Sequence, residues 1–430
     1  MPKIKYVPFI HKWQFVFLLA LILRLINLNQ SFWLDEAITA IVARDYSYLD
    51  IVTKFGIHDF HPPLYYFGTK AWSSLFGNNE ISLRLVSVFF SLGTGYIIYL
   101  MAGVLAASLF LFNPLIVYYS QEARMYMMAT FFLTFVFYKL KQQKYIYSSV
   151  LLILSFYTFY GSVFMILGFL AYFFIKKNYK AVKAIIIGSL IAGASLLPLI
   201  YTQWQSSKIA TSMVVNWKSV LGTASLKNLL LIFLKFGTGR ISFEPKAWYY
   251  VLGLVWTVIV WQKINWKSTK TYLLAVPLVL GFILSIFSPL FSYFRFLYLI
   301  PFWTLVFFNK KTNLSYKHLV VFGFVVWSLL YVLNSTFHRE DWQSLSKSLN
   351  KNTPVYGITS SLVPINYYRP DIKVVDLRDF ENAPKKITVL PYSTEIYGLD
   401  YRKLLENNNY SITKETSFRQ LSLEKWRKIE

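Results

Sequence analysis

Long apolar runs separated by small groups of lysines set the pattern of this chain. A helix rising about 1.5 Å per residue needs about 20 apolar residues to cross a hydrocarbon core of about 30 Å. Runs of this kind fall at residues 14–30, 82–100, 103–119, 125–139, 145–160, 161–175, 182–200, 247–261, 272–289, 293–308 and 318–334. As one helix, Ile81 to Tyr119 would be about 58 Å long, so it is expected to fold back, with Gly103 as the turn. Residues 226–240 (LKNLLLIFLKFGTGR) are short and basic and read as an interfacial helix. From Ser335 the pattern becomes that of a soluble protein: HREDWQSLSKSL and YRKLLEN read as helices, VYGIT, KVVDL and KITVL as short strands. The pattern predicts an α-helical polytopic membrane protein of about 11 transmembrane helices over residues 1–334, then a small α/β domain over residues 335–430.

Between the first two spans, residues 31–80 break the apolar rhythm. LDEAITAIVARDY places Leu34, Ile38, Ile41 and Val42 on one helical face; PPLYYFGTKAWSSLFG does the same with Leu64, Phe67, Ala71, Trp72, Leu75 and Phe76, leaving Thr69, Lys70 and Ser73 opposite. Both predict amphipathic helices lying on the outer leaflet with polar faces toward water. Pro62 forces His61 into an extended conformation and Pro63 suits the first turn of the second helix. In such a run Asp59 and His61 point the same way.

Composition supports the membrane reading: 56% of residues are hydrophobic and 15% charged, against about a quarter charged in soluble domains. The net charge of +24 does not imply nucleic acid, because the lysines are scattered between apolar runs as topology in a bilayer requires. With the N-terminus cytoplasmic, the inner loops hold Lys3, Lys5, Lys12, Lys139, Lys141, Lys144, Lys176, Lys177, Lys180, Lys183, Lys263, Lys267, Lys270, Lys310, Lys311 and Lys317, and no acid. All eight carboxylates before residue 335 then fall outside, five of them (Asp35, Glu36, Asp45, Asp50 and Asp59) gathered between Ser31 and Tyr66. The basic start runs into apolar sequence without a cleavage site and reads as a retained first span of a cell-membrane protein, with the C-terminal domain extracytoplasmic. The absence of cysteine excludes a disulfide framework, a thiolate zinc site and a cysteine nucleophile.

Four motifs in order, WLDEA, DFHPPLYY, FGNNEISLRLVS and YYSQEARMY, resemble the bacterial relatives of protein O-mannosyltransferases, and more distantly the lipid A aminoarabinose transferases. These are GT-C glycosyltransferases that use polyprenyl-phosphate sugars. SPLFSYFRFLYLIP and HREDWQSL are similar to the same family, whereas Tyr160-Gly161 departs from the His-Tyr pair of many relatives. The resemblance implies inverting transfer of a sugar to an acceptor hydroxyl on a protein, lipid or envelope glycan.

Such transfer needs a carboxylate within reach of the acceptor proton and positive charge for the departing phosphate, for which arginine offers a bidentate fork. The resemblance puts the base at Asp35, for which the alternative is a helix cap; Glu36 is the second catalytic candidate, as an orienting group. Asp59, His61, Tyr65, Arg84, Arg124 and Arg295 are the substrate-binding candidates. Asp59 and His61 are also the candidate ligands for a divalent metal. Glu122 is the nearest carboxylate to pair with Arg124, and Arg24, deeper in the first span, reads as a structural partner for an outer-loop carboxylate. Asp45 and Asp50 read as solvated. The competing class is a transporter or flippase of lipid-linked sugars, which calls for ionisable residues or broken helices at the midplane.

Overall fold

The computed structural model of the chain describes residues 12–216, 221–308, 312–381 and 384–429. Lys3, Lys5, Lys310 and Lys311, counted above for orientation, lie outside these residues. The helical body comprises α1 (Lys12–Leu25), α2 (Leu34–Asp45), α3 (Leu64–Phe76), α4 (Glu80–Ala102), α5 (Val104–Leu111), α6 (Pro114–Ser120), α7 (Tyr126–Lys141), α8 (Tyr145–Thr158), α9 (Ser162–Ile175), α10 (Tyr179–Met213), α11 (Leu226–Thr238), α12 (Lys246–Trp261), α13 (Tyr272–Phe287), α14 (Ile300–Phe307) and α15 (Leu314–Leu333). A 3-10 segment, Tyr293–Leu299, precedes α14. Among the described residues, four helical stretches (80–102, 179–212, 269–287 and 314–333) have the length and apolar character to cross a membrane; shorter apolar helices accompany them.

The apolar run after residue 80 does fold back at Gly103, whose φ of +85° lies where only glycine rests without strain. No atom lies within 4 Å of a Cβ built there, so Gly103→Ala is expected to cost about 1–3 kcal/mol through the backbone alone. A melting temperature unchanged from wild type would contradict this. The next run is two helices rather than one. Asn113 caps α6 through its side-chain oxygen, accepting from the Leu115 and Ile116 amides, and its amide group donates to the Phe236 carbonyl.

Helix α11 corrects the interfacial reading of residues 226–240. Leu226 and Leu230 are exposed, but Ile232 and Leu234 to Thr238 are buried in the body, with Phe233 half-buried. The helix enters the bundle and delivers Arg240 to the end where Glu122 lies, 3.8 Å away. Helix α10 is also longer than its apolar run, with 35 residues spanning about 52 Å. Its polar extension reaches the first outer loop, where the Gln203 amide donates to the Gly56 and His61 carbonyls at 2.7 and 3.1 Å. The Tyr160 hydroxyl donates to the Gln203 oxygen at 2.8 Å.

The C-terminal domain contains α16 (Trp342–Ser348), β1 (Val355–Gly357), α17 (Val363–Tyr368), β2 (Val374–Asp376), β3 (Lys386–Val389), α18 (Tyr401–Asn407), β4 (Tyr410–Phe418) and β5 (Leu421–Lys428). The sheet order is β2-β1-β3-β5-β4, with β1 parallel to both neighbours and the last pairs antiparallel. The final hairpin was absent from the sequence reading because β4 is an edge strand with few apolar positions, mostly exposed.

This domain sits on the first outer loop. The Phe32 amide donates to the Tyr368 hydroxyl at 2.7 Å, which itself donates to Glu80 at 2.6 Å. Ser31 Oγ donates to the Glu340 carbonyl at 2.7 Å and accepts from the Trp342 amide. Val363 and Tyr367 of α17 pack on Phe32, Ala37, Ala40 and Leu83. Helix α2 is therefore enclosed between the domain and the helical body rather than lying on the leaflet with a wet polar face. Its buried residues are Glu36, Ala37, Thr39, Ala40, Val42 and Ala43, whereas Leu34, Ile38 and Ile41 of the predicted apolar face are only half-buried. Helix α3 keeps the expected apolar edge outward, with Ala71, Leu75 and Phe76 exposed, but Thr69 is buried.

Candidate active site

The two adjacent acids at the start of α2 have opposite fates. Trp33, not Asp35, occupies the cap position, and no side chain caps the helix, so the capping alternative for Asp35 does not hold. One residue along a helix turns the side chain by about 100°. Asp35 therefore points to the outer end of the bundle, where its carboxylate is 31% exposed and lies 3.3 Å from the Arg124 guanidinium. Glu36 points inward and is fully buried.

Glu36 and Arg84 form a bidentate pair, with Arg84 Nε donating to Oε1 at 2.8 Å and Nη2 to Oε2 at 2.6 Å. Arg84 spends its remaining donors on the Leu28, Gln30 and Ser31 carbonyls, and its guanidinium lies over the Phe32 ring. Glu36 Oε1 also accepts from the Ala123 amide at 2.6 Å. The pair thus joins α2, α4 and the turn 121–125, and fixes Arg124 one residue from that anchor. Arg84 has no donor left facing the exposed cluster, which sets it apart from the other binding candidates.

Arg24 does not meet an outer-loop carboxylate. Its guanidinium donates to Ser91 Oγ and to the Ala20 and Leu111 carbonyls, so it ties α1 to α4 and α5 deep in the bundle. Nor does Glu122 pair with Arg124. Its Oε1 accepts from Arg339 Nε and Nη2 at 2.8 and 2.7 Å, and Arg240 Nη1 lies 3.8 Å away. Arg240 also bonds the Tyr118 hydroxyl, and Arg339 stacks over the Trp33 ring at 3.7 Å.

Arg240 and Arg339 were missed as site residues. The arginine closing LKFGTGR was hidden by reading the segment as interfacial, and Arg339 lay within HREDWQSL without a role. Arg240 carries one local signal, following Gly239 at the end of α11, whereas nothing local marks Arg339.

The proline turn brings Asp59 and His61 together, with Oδ1 and Nδ1 3.3 Å apart. Burial pushes the Asp59 carboxyl up, but the His61 ring, the Tyr66 hydroxyl and the Arg124 guanidinium outweigh it and hold the group below the ordinary carboxylate range. Arg124 is thus faced by Asp35, Asp59, Tyr66 and Tyr126. Tyr65 is buried beside Ser87, its hydroxyl pushed upward by burial. Arg295 donates to the Leu221 and Pro289 carbonyls at 3.2 and 3.4 Å, and Tyr126 faces both Arg295 and Arg124. Asp45 and Asp50 sit apart in exposed pairs with Arg44 and Lys54.

Asp59 and His61 supply two donors toward a metal, fewer than the coordination sets of common protein sites. Among the described residues no group of three or more His, Asp or Glu is placed to hold an ion. Among the described residues, several buried atoms of the cluster, including Arg124 Nε, Glu122 Oε2, Asp59 Oδ2 and the Tyr65 hydroxyl, have no hydrogen-bond partner. A carboxylate within solvent reach can take a proton from a hydroxyl, and the guanidinium beside it can hold an anion.

No family model matches the chain, and no curated protein matches it. Two crystal structures of ArnT from Cupriavidus metallidurans are similar in fold. The apo form superposes with a TM-score of 0.56 at 10% identity, over 96% of this chain and 97% of that one. The form bound to undecaprenyl phosphate gives a TM-score of 0.57 at 11% identity, over 96% and 98%. The chain therefore has the fold of these structures, a helical body with several apolar helices followed by a small C-terminal sheet domain.

Proposed function

We propose that this chain is a cell-membrane glycosyltransferase that moves a sugar from a polyprenyl-phosphate carrier to an acceptor hydroxyl at the outer face. The observation that carries this reading is the Asp35–Arg124 contact at 3.3 Å, in which the acid remains 31% exposed while its neighbour Glu36 is sealed in a structural pair. The fold shared with ArnT, solved once with undecaprenyl phosphate bound, supports the choice of carrier. The lysine distribution supports a cytoplasmic N-terminus and an extracytoplasmic C-terminal domain.

In the reaction, Asp35 accepts the acceptor hydroxyl proton as that oxygen attacks the anomeric carbon. The bond from that carbon to the phosphate oxygen breaks, and the lipid phosphate leaves with the bonding pair. One displacement of this kind inverts the anomeric centre. Arg124 and Arg295 stabilise the departing phosphate, and Arg240 and Arg339 add charge from the Glu122 side. Asp59, His61 and Tyr65 hold sugar or acceptor, while Glu36 and Arg84 position Asp35 and Arg124.

Arg124→Ala is expected to raise the KM for the lipid donor by about 10- to 100-fold, the loss of one hydrogen bond to a charged group, measured by steady-state transfer. An unchanged KM would remove Arg124 from the phosphate site. The reading as a whole is tested by intact-mass comparison of envelope glycans and glycoproteins with and without the gene. Loss of one sugar increment from a single class is the expected result, and identical profiles would overturn it.

A further inference from the structure

One face of the C-terminal sheet carries cations in positions that strand pairing disfavours. In register, Lys386 of β3 stands opposite Arg427 of β5, and Lys425 of β5 stands opposite Lys414 of β4. Like charges directly opposite one another destabilise a sheet. Earlier on the same face of β5, Leu421 and Leu423 are covered by Trp342 and Leu345 of α16. Where that roof ends, near Ser348 and Asn350, a cavity of about 370 Å³ opens over Lys386, Thr388, Lys425 and Arg427.

No carboxylate lines this cavity, and none of the four cations forms an ion pair among the described residues. The two nearby strand acids, Glu415 and Glu424, stand opposite each other on the other face, where Glu424 is buried and bonded to Tyr401, Arg402 and Trp426. The two cation rows are separated by two residues along β5, about 7 Å, so they meet two anionic groups of one chain rather than a single ion. Ser348, Asn350, Thr353 and Thr413 complete the wall with hydroxyls and an amide suited to sugar or polyol oxygens. The apolar residues of the lining, Leu349, Ile387, Leu423 and Trp426, are all buried. Nothing there would enter a bilayer, which favours a soluble polymer over a lipid surface.

The geometry points to a binding site for a chain of sugar or polyol phosphates, its phosphates held by Lys386 and Arg427 and by Lys425, with Lys414 opposite Lys425 just outside the cavity lining. The site goes beyond the transfer reaction and does not depend on it. It is tested on the full-length protein in detergent with a fluorescent glycerol-phosphate oligomer, neutral dextran and phosphatidylglycerol vesicles.

Binding of the oligomer but not of dextran is expected. It should weaken with salt and fall at least tenfold in the double variant Lys386→Gln, Arg427→Gln and in Lys425→Gln. Because like charges are being removed, the melting temperature of both variants should equal or exceed that of wild type. No oligomer binding, unchanged binding in the variants, or binding of the vesicles alone would overturn the site. A lowered melting temperature would also overturn it, since the cations would then serve the fold.

Discussion

Glu36→Ala is expected to lower the stability of the protein by about 3–5 kcal/mol, the cost of leaving one partner of a buried ion pair uncompensated. Arg84 and Glu36 side chains are 3% and 0% exposed, so water cannot replace the missing carboxylate. The loss extends beyond the pair, because Glu36 also anchors the Ala123 amide and Arg84 gathers the Leu28, Gln30 and Ser31 carbonyls at the start of the outer loop. Arg84→Met should cost a similar amount. The double variant Glu36→Leu, Arg84→Met should recover part of the loss, as apolar replacement of a buried pair often does. Thermal unfolding in detergent measures all three. Single variants as stable as wild type would show that the pair does not hold the loop.

Asp35→Asn should behave in the opposite way, retaining the fold and losing turnover. The side chain is partly exposed and its one ion pair is longer than those of Glu36, so little packing depends on its charge. An amide cannot take the acceptor proton, and removal of a general base typically costs about 100- to 10,000-fold. Donor affinity should remain close to wild type, because Arg124 and Arg295 keep their positions. Steady-state turnover and equilibrium binding of undecaprenyl phosphate, measured on the same preparation, separate the two effects. A KM effect without a kcat effect would make Asp35 a binding group rather than the base.

The helical body was legible in sequence because spans need length and apolarity, and because the run 81–119 was too long to be one helix and Gly103 was the available turn. The proline pair likewise foretold the juxtaposition of Asp59 and His61. What stayed hidden was pairing over long distances. Glu36 and Arg84 are 48 positions apart, and Glu122 and Arg339 are 217 apart. No local pattern tells which arginine a given acid will meet. Glu122 was accordingly paired with its neighbour Arg124, which instead turns to Asp35. The enclosure of α2 was missed for a related reason: Ala37 and Ala40 are weak apolar positions, yet Val363 and Tyr367 of the C-terminal domain pack on them. Strand β4 was missed because an exposed edge needs few hydrophobic residues.

Proteoliposomes carrying the purified protein and radiolabelled undecaprenyl-phosphate sugar, supplied with an envelope acceptor fraction, test the central claim most directly. Transfer predicts that label moves to the acceptor while free undecaprenyl phosphate accumulates in equal amount, with both signals absent in Asp35→Asn. Labelled donor crossing the bilayer intact, without release of free undecaprenyl phosphate, would contradict it.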